Sequence, residues 1–165
     1  MKYYDIVALP RVGAALAERL GYANVFSQGE VRVAERPSGD SAYMLRSSEP
    51  GFIFKAIGDR NCIGIIFKDN IPVKKTLEKA ASEGKAVIIP MTEITCSSGP
   101  SLMRNTYRLR SVLAACRKAK TPVALVSLAG SDSALLSAMQ MLELARFIGA
   151  EYEDAKEMLS HRWIQ

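Results

Sequence analysis

Short apolar runs alternate with amphipathic helical patterns along this chain, which is typical of βα units whose strands form a parallel sheet. A continuous apolar run of about four to eight residues predicts a strand that is buried on both faces. Residues 30–36 instead alternate polar and apolar side chains, which predicts a half-buried strand. The predicted strands cover residues 5–9, 24–27, 30–36, 43–46, 62–68, 86–91 and 123–129.

Helices are predicted between the strands wherever apolar residues recur at helical spacing, with proline near the start or glycine just past the end. Residues 51–57 fit either a strand or one to two helical turns, and residues 38–40 predict a turn. Three consecutive βα units in the second half predict right-handed crossovers and therefore adjacent parallel strands. The predicted helices cover residues 10–20, 72–84, 100–120, 133–148 and 151–160.

Seven predicted strands favour a (β/α) barrel, although such barrels usually need about 250 residues and this chain has 165. A barrel of this length would be small, with its early helices shortened or lost. An open α/β sheet is the alternative. Because 48% of the residues are apolar and 24% are charged, we expect a single globular α/β domain over residues 1–165. Disorder, collagen and coiled coil are excluded as descriptions of the whole chain.

The composition also indicates a reducing, cytoplasmic location. No apolar run reaches the roughly 18 residues that suggest a membrane span. Asp5 precedes any long apolar stretch, so the N-terminus does not resemble a signal peptide. The three cysteines are scattered and form no C-x-x-C pair, which argues against a disulfide framework or a zinc knuckle.

The positive charge of the chain is concentrated in one segment. The net charge is +5, and residues 94–130 contain six bases and no acid. The rest of the chain therefore carries 16 bases against 17 acids. This distribution favours a polyanionic partner, although a run of charge is also compatible with a merely solvated face.

The long helix predicted over residues 100–120 carries these bases. At about 100° per residue, its apolar side chains share one face, which we expect to contact the sheet. The bases lie on the opposite face and its flanks. Guanidinium groups beside a tyrosine suit contacts to phosphate, sugar and unpaired bases. The candidate RNA-binding residues of this helix are Arg104, Tyr107, Arg108, Arg110, Arg117 and Lys118.

Within this set, we expect Arg104, Arg108 and Lys118 to form an exposed stripe that is the main RNA-facing surface. A second basic set lies on the preceding helix, where acids accompany the bases, so a solvated face is the stronger interpretation there. This second set consists of Lys74, Lys75 and Lys79.

A candidate phosphate site precedes the long helix. Ser97, Ser98 and Gly99 form a small-residue turn, and the free N–H groups of a helix N-terminus favour an anion. The alternative is a plain helix cap made by Ser98 or a neighbour.

Few groups suited to catalysis are present. The single histidine, His161, excludes a multi-histidine metal site, and it is interpreted as a residue at the end of the last helix. Neither of the common glycine-rich nucleotide motifs occurs. Three acids follow predicted strands and could hold a magnesium ion if those strand ends converge. They are Asp69, Glu93 and Asp132.

Residues 62–160 resemble ribonuclease P protein component 3, the archaeal relative of the eukaryotic thirty-kilodalton ribonuclease P subunit. The last matching block combines a basic helix, a strand that ends in small residues, a helix that ends in Ile-Gly, and the segment EDAKEML. The matching sequences are CIGIIF, PVKKTLEKAASEGKAVIIPMTEI and RNTYRLRSVLAACRKAKTPVALVSLAGSDSALLSAMQMLELARFIGAEYEDAKEMLS.

The resemblance implies a reduced TIM-like barrel of the polymerase-and-histidinol-phosphatase type without metal-binding histidines, with helices lost between residues 30 and 61. It implies a subunit of the endoribonuclease that removes the 5′ leader from precursor tRNA. The expected partners are the catalytic RNA, protein component 2 and other holoenzyme subunits, with precursor tRNA contacted indirectly. No catalytic residue, cofactor or metal of its own is expected, because the RNA binds the magnesium.

Two other functions are compatible with the residues. A metal-dependent phosphoesterase would use the three acids on the same barrel. A scaffold would bind only protein, and the basic helix face would then be solvated.

Overall fold

All strand pairings within the described residues are parallel. A computed structural model describes residues 2–8, 12–27, 30–37, 41–69 and 71–160. The predicted adjacency of the strands near residues 62–68, 86–91 and 123–129 is confirmed. The strands are β1 Tyr4–Ile6, β2 Asn24–Phe26, β3 Arg32–Ala34, β4 Tyr43–Ser47, β5 Cys62–Phe67, β6 Ala86–Pro90 and β7 Val123–Val126.

The helices cover the outer side of these strands. No helix lies between β2 and β4 in the described part of the chain, but a helix at Pro50–Ile57 lies within residues 30–61, so the loss of helices implied for that whole region is only partly confirmed. None of the described helices is both long and apolar enough to span a bilayer. The helices are α1 Ala14–Arg19, α2 Pro50–Ile57, α3 Lys74–Ser82, α4 Thr92–Thr95, α5 Gly99–Ala119, α6 Ala138–Phe147 and α7 Tyr152–Ser160.

The strands form one five-stranded sheet and one two-stranded pair. The sheet has the order β3-β4-β5-β6-β7, and β1 pairs with β2. Two backbone hydrogen bonds connect β1 to the chain just after β7, from Leu128 N to Ile6 O and from Ala8 N to Ala129 O, each 3.0 Å long. No strand pairing connects β2 to β3 within the described ranges, so the ladder is not a closed ring there.

Alternate side chains of the strands point to a shared interior, as the two-residue period of a strand requires. This inner cluster draws on β1, β4, β5, β6 and β7, an arrangement typical of a strongly curved sheet. The intervening side chains pack beneath the helices in two outer clusters. The buried residues of the inner cluster are Ile6, Val31, Met44, Ile66, Ala86, Ile88, Ala124 and Val126.

The structure corrects several predicted boundaries. The helix predicted over residues 133–148 is split into a 3₁₀ turn at Asp132–Ala134 and the helix α6. Ser137 caps α6 in a capping box with Gln140, and an N-cap residue has extended backbone that ends any preceding helix. The ambiguous segment 51–57 is helical, and the short helix α4 was not predicted.

The first strand is shorter than predicted, and the first helix begins at Ala14 rather than at residue 10. Residues 9–11, the predicted turn at 38–40 and His161 lie outside the described residues.

Candidate nucleic-acid interface

A groove of about 590 Å³ opens where the carboxyl ends of three neighbouring strands meet the N-terminal half of α5. Such ends converge in parallel α/β folds, which is why sites form there. The groove is lined by more cations than anions. Its lining residues are Arg46, Lys68, Asp69, Ile71, Glu93, Arg104, Asn105, Tyr107 and Arg108.

Two arginines meet at one carboxylate on the floor of this groove. Arg46 Nη2 lies 3.2 Å from Glu93 Oε1, and Arg108 forms a second ion pair with the same carboxylate. Arg108 Nη1 also donates a hydrogen bond to the carbonyl oxygen of Phe67, at 2.6 Å. Burial lowers the pKa of the Arg108 guanidinium, and the nearby Asp69 carboxylate opposes this shift.

The predicted exposure of Arg108 is wrong, since only 13% of its side chain is exposed. Residues four apart on a helix share a face, and Val112, four residues after Arg108, is buried. The buried face of α5 is therefore wider on this side than the sequence pattern indicated, and Arg108 lies at its edge.

Arg104 and Lys118 are exposed as predicted. Neither side chain has a hydrogen-bond or ion-pair partner in the described part of the chain. They are 14 positions apart, which is about 21 Å along a helix, and only Arg104 lines the groove. Tyr107 lies one turn from Arg104 and is 71% exposed.

The two flanking arginines of α5 contact the C-terminal end of α6 and the first turn of α7. Arg110 Nη2 donates to the Phe147 carbonyl oxygen at 2.7 Å, and its guanidinium lies over the Phe147 ring. Arg117 donates to the Gly149 carbonyl oxygen at 2.9 Å and pairs with Asp154 at 2.8 Å. Both side chains therefore connect α5 to the region of α6 and α7.

The basic residues of α3 lie away from the groove. Lys74 pairs with Glu78 at 3.5 Å, and Lys79 lies 5.1 Å from the centre of the Phe54 ring. Lys75 lines a separate, more apolar cleft between α2 and α3.

The candidate phosphate turn makes hydrogen bonds to two residues that line the groove. Ser97 Oγ donates to the Glu93 carbonyl oxygen at 2.7 Å and accepts from Asn105 Nδ2 at 2.9 Å. Ser98 occupies the N-cap position of α5, but its side chain makes no capping hydrogen bond. Gly99 has a φ of +53°, a conformation that glycine adopts readily.

The three candidate metal ligands are not assembled into one site. Asp69 and Glu93 line the groove, whereas Asp132 lies in the 3₁₀ turn beyond β7. No group of three or more acid, histidine or cysteine side chains that could hold a metal ion occurs in the ranges that the structure describes.

Four residues that line the groove were missing from the sequence-based set, and two of them, Arg46 and Lys68, are basic. Arg46 lies near the end of β4, and Lys68 directly follows β5. Their positions at strand ends were available from the sequence, because the carboxyl ends of parallel strands share one edge.

Comparison with known proteins gives matches in structure but not in sequence. No protein-family model and no curated protein sequence matches this chain. A chain in the cryo-EM structure of archaeal ribonuclease P with mature tRNA aligns with a TM-score of 0.70 and 12% identity, over 94% of this chain and 76% of that chain. The two chains have the same fold.

A second structural match is more distant. The crystal structure of A. niger ochratoxinase aligns with a TM-score of 0.50 and 15% identity. The alignment covers 72% of this chain and only 28% of that one. Of the two matches, the ribonuclease P chain therefore aligns better, both by TM-score and by the share of each chain that is covered.

Proposed function

We propose that this protein is a subunit of ribonuclease P that supports RNA-catalysed removal of the 5′ leader from precursor tRNA. The observation that carries the proposal is the fold shared with a chain of archaeal ribonuclease P, over 94% of this chain. The resemblance noted for residues 62–160 points to the same assignment, although no family model or curated sequence matches this chain.

The charge of the carboxyl edge supports binding to RNA. Arg104 and Lys68 are both exposed and both line the groove. Lys118 extends the positive surface along α5. Contacts of this kind neutralise phosphates and position an RNA without reading its sequence.

In this proposal the chemistry belongs to the RNA and its magnesium, and the protein supplies cations and a rigid surface. Glu93 already receives two guanidinium groups, which makes it a poor general base. The partners are the catalytic RNA, protein component 2 and other holoenzyme subunits, and the compartment is the cytoplasm. Precursor tRNA is contacted through the assembled complex.

The test is reconstitution of precursor-tRNA cleavage from the RNA and the other protein subunits, with and without this chain. We expect the full chain to raise the rate of 5′ leader removal. Omitting the RNA should abolish cleavage even when this chain is present. No stimulation by the chain would contradict the proposal, and cleavage without RNA would favour a phosphoesterase.

A further inference from the structure

We infer that the groove binds an unpaired nucleotide of RNA, with the base stacked on Tyr107 and the neighbouring phosphates held by Arg104 and Lys68. The inference rests on the proposed function as an RNA-binding subunit. It adds to that function that the groove recognises an unpaired nucleotide.

The Tyr107 ring is the first reason. It is 71% exposed on a long helix whose opposite face is buried, so the ring is open to a ligand while the helix that carries it is held by packing. No aromatic ring or cation covers it within the described residues. Exposed rings beside a basic groove serve as stacking platforms for unpaired bases, since every base presents a flat face.

The placement of the free cations is the second reason. Arg104 is three residues before Tyr107 and therefore its neighbour on the helix surface. Lys68 directly follows β5 and lines the same groove. Neither side chain has a partner among the described residues, so both charges are available to the phosphates that flank a stacked base.

The acids of the groove do not cancel this charge. Glu93 is paired with both Arg46 and Arg108. Asp69, the other acid of the groove, lies close enough to Arg108 to affect its pKa. Asp69 is exposed and forms no ion pair within the described residues. The groove still has four basic residues against two acids, so it keeps a positive excess.

The size of the groove favours a single strand. Its volume of about 590 Å³ falls in the range of sites for small molecules, roughly 300–1,000 Å³. One or two nucleotides fit such a space. Double-stranded RNA is recognised over a much larger surface, about 16 base pairs in common modules.

The test uses the full chain and an unpaired RNA pentanucleotide with a central 2-aminopurine, whose fluorescence falls when it stacks on a ring. The wild-type chain should quench this fluorescence and bind the single strand more tightly than a duplex of the same sequence. Tyr107→Leu should lose the quenching and weaken binding about tenfold, as loss of one stacked base does.

Tyr107→Phe is the matched control, because it retains the ring, and its quenching and affinity should remain close to wild type. Since residue 107 is exposed, thermal melts should show that both variants are folded. The inference is overturned if Tyr107→Leu binds and quenches as wild type does, which would indicate attraction by charge alone.

The oligonucleotide test and the cleavage reconstitution can give opposite results, so a failure of the stacking inference can be distinguished from a failure of the proposed function. A chain that stimulates cleavage while Tyr107→Leu still quenches would disprove the stacking inference and leave the proposed function intact. A chain that quenches through Tyr107 but never stimulates cleavage would disprove the ribonuclease P assignment and leave an RNA-binding groove.

Discussion

Arg108 and Glu93 form an ion pair at the carboxyl edge of the sheet, where their side chains are only 13% and 11% exposed. The pair joins α5 to α4, and the hydrogen bond from Arg108 to the Phe67 carbonyl joins α5 to the end of β5. Removing one partner of such a pair leaves an uncompensated charge in a poorly solvated place. Arg108 therefore supports the groove from within, whereas Arg104 is available at its rim.

Replacing these two arginines should have different consequences. Arg108→Ala should lower the free energy of unfolding by about 2 kcal/mol, less than for a fully buried pair because some solvent remains. Arg104→Ala should change it by less than about 0.5 kcal/mol, as exposed substitutions usually do, while weakening RNA binding. Urea unfolding and RNA titration measure the two effects. Equal stability of the two variants would show that the pair contributes nothing.

The salt dependence of RNA binding tests the exposed cations. The double variant Arg104→Ala/Lys118→Ala should weaken binding and reduce the slope of log affinity against log salt by about 1.5–2, near one unit per lost phosphate contact. Stability should be unchanged, because both side chains are exposed.

The matched control replaces Lys74, Lys75 and Lys79 with alanine. We expect a smaller change in slope, because these residues lie outside the groove and Lys74 already pairs with Glu78. If the double variant kept the wild-type slope, the basic face of α5 would be only solvated, and a scaffold that binds protein would become the better interpretation.

The candidate metal ligands should prove dispensable for chemistry. Asp69→Asn and Asp132→Asn should change reconstituted cleavage by less than about tenfold, far below the thousandfold or greater losses on removing a central catalytic group. Glu93→Gln should act mainly through stability, since it weakens two ion pairs. A thousandfold loss in a variant that remains folded would instead support a phosphoesterase.

A buried aspartate should make stability depend on pH. Asp5 is fully buried and accepts hydrogen bonds from the Ile6 and Ser127 amides at 2.8 and 2.7 Å. Burial raises its pKa from 3.8 to about 6, against the opposing effect of these hydrogen bonds. The folded state thus binds the proton more tightly than the unfolded state does.

The stability that Asp5 contributes is therefore present below about pH 4 and is lost as the pH rises through 6, by up to about 3 kcal/mol. Asp5→Asn keeps an acceptor for both amides and does not titrate. The difference in unfolding free energy between the two proteins, measured by urea from pH 4 to 8, should change over this window. A constant difference would refute the prediction, because the other carboxylates contribute equally to both proteins.

Gly64 lies so close to the neighbouring strand that a side chain at this position should destabilise the fold. A Cβ at this position would lie 2.6 Å from Ile88 Cδ1 and 2.9 Å from the Ala86 carbonyl oxygen. Because the carbonyl belongs to the neighbouring strand, Gly64→Ala should cost about 1–3 kcal/mol of stability. The matched control is Gly58→Ala, whose Cβ would meet only a backbone oxygen at 3.8 Å, and which should be neutral or slightly stabilising. Equal melting temperatures would contradict the expected clash.

Prediction from sequence was most accurate in the second half of the chain. The apolar runs of β5, β6 and β7 are long enough to indicate burial on both faces, and short right-handed crossovers leave only parallel neighbours. The first half was harder because β1, β2 and β3 have three residues each, too few to show a period. The split before α6 was visible in the sequence as a Ser-x-x-Gln capping box.

The sequence by itself determined the parallel α/β order and the acid-free basic segment, because local periodicity and charge counts need no knowledge of distant contacts. Only the tertiary structure decided which of those charges are free. Arg108 pairs with Glu93, and Arg117 pairs with Asp154. Lys68, which follows a strand elsewhere in the sequence, lines the same groove as Arg104. A guanidinium reaches several ångströms from its backbone, so its partner depends on elements far away in the sequence that packing brings beside it.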